Sequence, residues 1–205
     1  LFARRAYELC RTESLHLWAK DYHREKVGYF LGKIGSERLR DDYVGAERYF
    51  KPAIAPGAPY AMFALSSYAI VLGKLGRTEE GVAAFDTWLQ RYKGSVNAKR
   101  FTEAHYDRSR VLRTGGKPLE AAAAMRKHLT GRGGGIDRGK YWWFVGFWSY
   151  LGGEYEQAIE VFDDLAHSSN PLVGGKARYW TAKALDKLGK RPKAVTVLRS
   201  LIKDQ

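Results

Sequence analysis

The sequence predicts an all-α chain, an α-solenoid in which helix hairpins stack into a superhelix. Three observations carry that prediction. Glycines recur at Gly76, Gly116, Gly153 and Gly189, spaced 40, 37 and 36 residues apart. Each is followed five residues on by a small residue (Gly81, Ala121, Ala158, Ala194) and nine residues on by a large apolar one (Phe85, Met125, Phe162, Leu198). No stretch of the chain shows the convincing apolar–polar alternation of a strand.

A glycine stops a helix by adopting the left-handed backbone conformation at little cost. The small residue then lets the second helix approach the first, and the large one fills the groove between them. A period of 34 to 40 residues with this pattern is that of tetratricopeptide-like helix hairpins. A degenerate fifth copy has Asp41 at the turn, with Ala46 and Phe50 in the matching places. The expected architecture is one domain over 1–205, about ten helices in five hairpins with turns near 41, 76, 116, 153 and 189.

Along the chain, Leu1 to Cys10 already reads as helix. The linker from Lys51 to Pro59 carries three prolines, which remove donors and restrict their neighbours, so no helix is expected to continue through it. Ala61 to Leu72 reads as a buried helix. Gly131 to Gly135 reads as a flexible bridge, and His167 to Pro171 as a stop before the last hairpin. Ile159, Phe162, Asp163 and Ala166 fall at i, i+3, i+4 and i+7, an apolar face with Asp163 as its polar member. Leu1 is not a methionine and the chain stops after Gln205 without a capping glycine. Both ends look cut, as expected of a segment from a longer protein.

The 205 residues include 45% hydrophobic and 14% aromatic ones, core material that rules out wholesale disorder. No apolar run approaches the roughly 20 residues a membrane span needs. The lone Cys10 rules out an internal disulfide framework and a cysteine-based zinc site. Its apolar helical neighbours predict a buried, inert thiol. The five histidines contain no HExxH pair, and His105 and His128 read as packing or surface residues. Gly134 to Lys140 approaches a phosphate loop, but Tyr141 stands where Ser or Thr would hold magnesium, and a helix precedes it where a strand is needed. The acidic pairs Asp41-Asp42, Glu79-Glu80 and Asp163-Asp164 raise the possibility of a two-carboxylate site. The first two pairs sit where a helix begins and its dipole favours acids. No GxSxG elbow is present. The segment is therefore expected to hold no catalytic residue, no metal and no cofactor.

The net charge is +13, with +5 in residues 1–103 and +8 in 104–205. From Lys176 to Lys203 nine basic residues face one acid, Asp186. At 100° per residue, Lys176, Lys183, Lys187 and Lys190 fall within a stripe of about 60° beside the apolar face, a candidate contact for an anionic partner. Solvation of an ordinary charged face is the simpler reading. The aromatics Tyr141, Trp142, Trp143, Phe144, Phe147, Trp148 and Tyr150 cover every face of one helix. Neighbouring helices can bury them all; alternatively one or two rings, Trp142 foremost, face the concave side and stack on a sugar or peptide.

Two further stretches carry a family resemblance. Ala177-Arg-Tyr-Trp-Thr-Ala-Lys-Ala-Leu-Asp-Lys-Leu-Gly189 resembles the A-x-Y-W-x-A-x-A-L-x-x-x-G hairpin of soluble lytic murein transglycosylases. Trp143, Tyr150, Gly153, Tyr155, Ala158, Phe162 and Leu165 are similar to the hairpin before it. The match covers 139–205 and is generic over 1–138. It implies the superhelical, non-catalytic region of a periplasmic enzyme that cleaves peptidoglycan, a region that positions a separate catalytic domain on the cell wall. Glu13-Ser14 is the one Glu-Ser pair and lacks the G-L-M-Q segment that follows the family's catalytic Glu. Two other readings stand beside this one: a tetratricopeptide-type scaffold that binds a protein or peptide, and an RNA-binding helical repeat, which the unequal period disfavours.

Overall fold

The computed structural model describes residues 2–20, 23–38, 42–131 and 138–203. Among these residues there are eleven α-helices and no strand. They are α1 (Phe2–Ala19), α2 (Arg24–Lys33), α3 (Tyr43–Ala53), α4 (Ala61–Lys74), α5 (Thr78–Tyr92), α6 (Ala98–Thr114), α7 (Pro118–Thr130), α8 (Arg138–Leu151), α9 (Tyr155–Ala166), α10 (Pro171–Lys187) and α11 (Arg191–Lys203). A π-helical turn, Ile34–Arg38, continues α2. The chain divides into two compact units, Leu1–Asn97 and Ala98–Gln205. In the first, helices α1 to α5 each pack on the next; in the second, α6 to α11 do the same, and α8 also meets α10. The degenerate turn at Asp41, residues 132–135 of the glycine bridge and the start of the phosphate-loop near-miss lie outside the described residues.

The hairpins are built as the glycine spacing predicts. Gly76, Gly116, Gly153 and Gly189 have φ of +79°, +81°, +88° and +73°. Each donates its N–H three residues back, to Gly73, Arg113, Tyr150 and Asp186, at 3.0–3.2 Å. The next residue closes the first helix by donating five residues back: Arg77 to Leu72, Lys117 to Leu112, Glu154 to Ser149 and Lys190 to Leu185, at 2.9–3.0 Å. This double closure is the Schellman motif. The same four residues open the second helix, their carbonyls accepting from Gly81, Ala121, Ala158 and Ala194 at 3.0–3.1 Å. One residue thus ends one helix and starts the other.

Those small residues are buried, as are Phe85, Met125 and Phe162 one turn further on. In the first hairpin Ala46 and Phe50 are buried alike. Glycines on the opposing helix admit two of the rings: a Cβ on Gly146 would lie 2.8 Å from the Phe162 ring, and one on Gly32 would lie 2.6 Å from the Phe50 ring. Trp88 closes the α4–α5 hairpin, its indole N–H donating to the Met62 carbonyl at 2.8 Å. Leu198 departs from the pattern and is 37% exposed, on the outer side of α11.

Charged and capping groups set the remaining ends. Asp42 caps α3 by accepting from the Gly45 N–H at 2.8 Å, and it pairs with Arg11 of α1 at 2.9 Å. Asn170 caps α10, accepting from Leu172 and Val173. Glu47 of α3 bridges Arg77 (2.9 Å) and Lys51 (3.0 Å), hydrogen bonds that hold its carboxyl below the ordinary value.

Two expectations are corrected. Pro52 does not stop α3, which runs on to Ala53; in the last turn the missing N–H and ring cost little continuity, and Ile54 still donates to Phe50 at 3.0 Å. The thiol of Cys10 is exposed rather than buried. In α9 the predicted row is a packed one: Phe162 is buried, and Ile159 and Ala166 pack against buried clusters, while Asp163, its polar member, is exposed and accepts from Thr181 at 3.3 Å.

Two substitutions test this register. Ala158→Leu puts a branched side chain at a position with no exposed area and is expected to cost about 1–3 kcal/mol by overpacking; thermal melts as stable as the parent's would show that the small-residue register is misplaced. At Gly153 a Cβ would meet no atom within 4 Å, so Gly153→Ala reports the backbone alone. Its expected cost is about 1–2 kcal/mol, read from urea midpoints at unchanged slope.

Candidate functional site

α8 is aromatic on every side, and the structure sorts its rings by partner. Tyr141, Val145 and Trp148 are buried. Tyr106 of α6 stacks with Trp148 at 5.9 Å and meets Tyr141 at 5.6 Å and Phe144 at 4.7 Å. Trp143, Phe147 and Tyr150, at i, i+4 and i+7, form a second row that is only partly buried. Trp143 and Phe147 stack at 4.9 Å, and Trp180 of α10 meets Phe147 at 4.8 Å and Tyr150 at 5.1 Å, both edge to face. These separations and tilts suit the ring quadrupoles. The four rings make a platform joining α8 to α10. The Trp143 indole N–H is buried in it without a hydrogen-bond acceptor.

α10 turns its small residues inward: Gly174, Ala177, Thr181, Ala182, Ala184 and Leu185 are buried. Lys176, Lys183 and Lys187 are exposed on the opposite side. At 100° per residue they share a stripe of about 60° with Trp180. None of the three makes an ion pair among the described residues. Asp186, the only acid of this helix, lies 3.9 Å from Arg191. The lysine row therefore borders the aromatic platform with its charge uncompensated. Lys190 is not on this helix, because Gly189 ends α10 and Lys190 becomes the residue that opens α11. The 100° rule carried it through a turn that breaks the helical phase.

Trp142 stands apart from the platform. It is half-buried and lines a cavity of about 300 Å³ with Gly139, Val161, Asp164 and Leu165. The Arg126 guanidinium lies over its ring, 5.8 Å from the centroid. The ring that the sequence singled out thus faces a cavity between α8 and α9, away from the lysine row. The signal for the platform was the i, i+4, i+7 row Trp143, Phe147 and Tyr150, together with the Tyr179-Trp180 pair on the neighbouring hairpin.

Other titratable groups serve the fold. His105 and His128 stack at 3.9 Å, and Nε2 of His128 lies 2.9 Å from the Thr102 hydroxyl. Glu103 and Asp107 stand one turn apart on α6 and pair with Arg100 (3.6 Å) and Arg110 (3.0 Å). Burial pushes the Asp107 carboxyl above its ordinary value, against the pull of Arg110. Among the described residues no group of three or more His, Cys, Asp or Glu could hold a metal ion, and no helix is long and apolar enough to cross a membrane.

Much of the transglycosylase-like pattern is packing. Ala158, Phe162, Ala177, Ala182 and Ala184 are buried, Gly153 and Gly189 are the left-handed turns, and Trp143, Tyr150, Leu165 and Trp180 pack against one cluster. The pattern's turn glycines and small residues recur in the other hairpins, at Gly76, Gly81, Gly116 and Ala121.

Comparison with known proteins agrees with the hairpin geometry. Family models of the tetratricopeptide repeat match residues 68–136 and 176–205. No curated protein matches the sequence. Among solved structures, the nearly identical tetratricopeptide-like repeats of a Podosopora anserina putative kinesin light chain are similar at TM-score 0.64 and 12% identity, over 88% of this chain and 94% of that one. MamA from Desulfovibrio magneticus RS-1 is similar at TM-score 0.60 and 15% identity, over 88% and 94%. At such identities the likeness bears on the fold, and the fold is that of tetratricopeptide-like helical repeats.

Proposed function

We propose that this chain is a protein-binding helical-repeat scaffold that takes an acidic peptide segment along α10. The observation that carries the reading is the row Lys176, Lys183 and Lys187, exposed and unpaired, beside the Trp143–Phe147–Tyr150–Trp180 platform. Each exposed lysine–carboxylate contact is worth about 0–1 kcal/mol and is screened by salt. Three of them give less than the roughly 4 kcal/mol that a millimolar complex needs. The rings add to this: fully covering an exposed large apolar side chain gives about 1.5–3 kcal/mol, and each of these partly covered rings gives a fraction of that. The lysines set charge preference and encounter rate; the platform sets affinity.

A second reading keeps the cell wall as partner. Its support is the resemblance over 139–205 and the chemistry of this face: aromatic rings accept sugar faces, and the stem-peptide carboxylates of peptidoglycan suit the lysines. On that reading the chain positions a periplasmic lytic transglycosylase on its substrate. The comparisons above lend it nothing, so the protein-binding reading stands first. The unequal repeat spacing leaves RNA as the weakest partner.

The double variant Lys183→Glu with Lys187→Glu decides between them. Fluorescence anisotropy with a labelled glutamate-rich peptide is expected to show binding at low salt, lost by a few hundred millimolar salt and weakened at least tenfold in the variant. Unchanged affinity removes the lysine row from the mechanism. Cosedimentation with purified peptidoglycan that falls in the variant, with no peptide binding by the parent, establishes the second reading in place of the first.

A further inference from the structure

α10 has another exposed side, away from the platform. Between it and the end of α11 runs an open groove of about 530 Å³, lined by Leu172, Gly175, Lys176, Arg178, Tyr179 and Leu201. Leu172 is 66% exposed and Tyr179 44%; on α11, Ile202 is 73% exposed. Helix capping and hairpin closure do not require apolar side chains at these places. Gly175 forms part of the groove wall, where a Cβ would meet only Leu201, at 3.7 Å. Lys176 stands at the edge, and Lys183 and Lys187 extend its charge along α10.

We propose that this groove docks an amphipathic helix of a partner protein whose flank is acidic. The proposal rests on the protein-binding reading and assigns it a surface distinct from the aromatic platform. The shape argues for a helix: the walls are two helices side by side, and a third can lay a stripe of residues at i, i+3, i+4 and i+7 between them. Charge argues for the acidic flank, since nine basic residues and one acid lie between Lys176 and Lys203. Charge also argues against a second copy of this chain, whose net +13 would be brought against the same surface.

The test uses a peptide of about five helical turns, roughly 18 residues, with leucines on one stripe and glutamates on one flank. A scrambled peptide of equal composition is its control. The ordered peptide is expected to bind at least tenfold more tightly than the scrambled one. Gly175→Leu fills the groove without a backbone clash and suits a helix better than glycine, so circular dichroism should show an intact fold. In this variant the tenfold preference should vanish, while the affinity for the scrambled peptide stays. Equal binding of the two peptides by the parent overturns the groove but leaves charge-driven protein binding intact. A preference that survives Gly175→Leu overturns the groove as well. Parent chains that self-associate in sedimentation, and no longer do so as Gly175→Leu, assign the groove to a second copy instead. Failure of both peptides to bind sinks the protein-binding reading itself.

Discussion

The hairpins depend on one backbone constraint, the left-handed glycine with its two closing hydrogen bonds. After each of Gly76, Gly116, Gly153 and Gly189, a single residue gives its N–H to the helix behind and its carbonyl to the helix ahead. No loop residues intervene, so the phase of the second helix is fixed by the end of the first. The donor to that shared carbonyl is the small residue of the repeat. Its hydrogen bond fixes where the new helix starts, and its small size lets it be buried against the helix behind. Phe162 follows one turn later and meets Gly146, which has no Cβ to exclude it.

This constraint decides which residues remain available for anything else. In α8 one side belongs to α6, α7 and α9, and the Trp143–Phe147–Tyr150 row is what lies toward α10. In α10 the inward side is held to Gly, Ala and Thr, with Leu185 near the turn. Small inward residues bring the helices near one another, and this closeness lets rings of α8 reach Trp180. The platform follows from close packing rather than standing apart from it.

The hairpins were legible in the sequence because their determinants are local. A glycine and two residues at fixed offsets report a turn and a crossing within ten residues. The errors arose where the determining contact is not local. Cys10 has apolar neighbours in sequence, yet burial depends on which side of α1 is covered. Asp163, by contrast, was read as the polar member of its row, and it is exposed while Phe162 of that row is buried. Trp142 and Trp143 are adjacent, and only the position of α10 tells which ring borders the lysines. Lys190 shows the limit of an angular rule, which holds within a helix and ends at its cap.

The resemblance to cell-wall enzymes and the likeness to tetratricopeptide structures rest on related information. Buried alanines, turn glycines and packed rings recur wherever hairpins of this kind stack, whatever the partner. Function has to be sought in residues that packing leaves alone, and on α10 these include three exposed lysines. Lys183 and Lys187 stand one helical turn apart, where like charges destabilise a helix by about 0.2–0.5 kcal/mol. Lys176 adds to that field, and Asp186 gives little relief. Glutamate or glutamine at one of these exposed places would remove the repulsion without touching the core. Lys187 lies in the last turn of α10, where the helix dipole favours a cation and offsets this repulsion. On the proposed reading, an acidic segment laid along the row turns the mutual repulsion of the lysines into attraction.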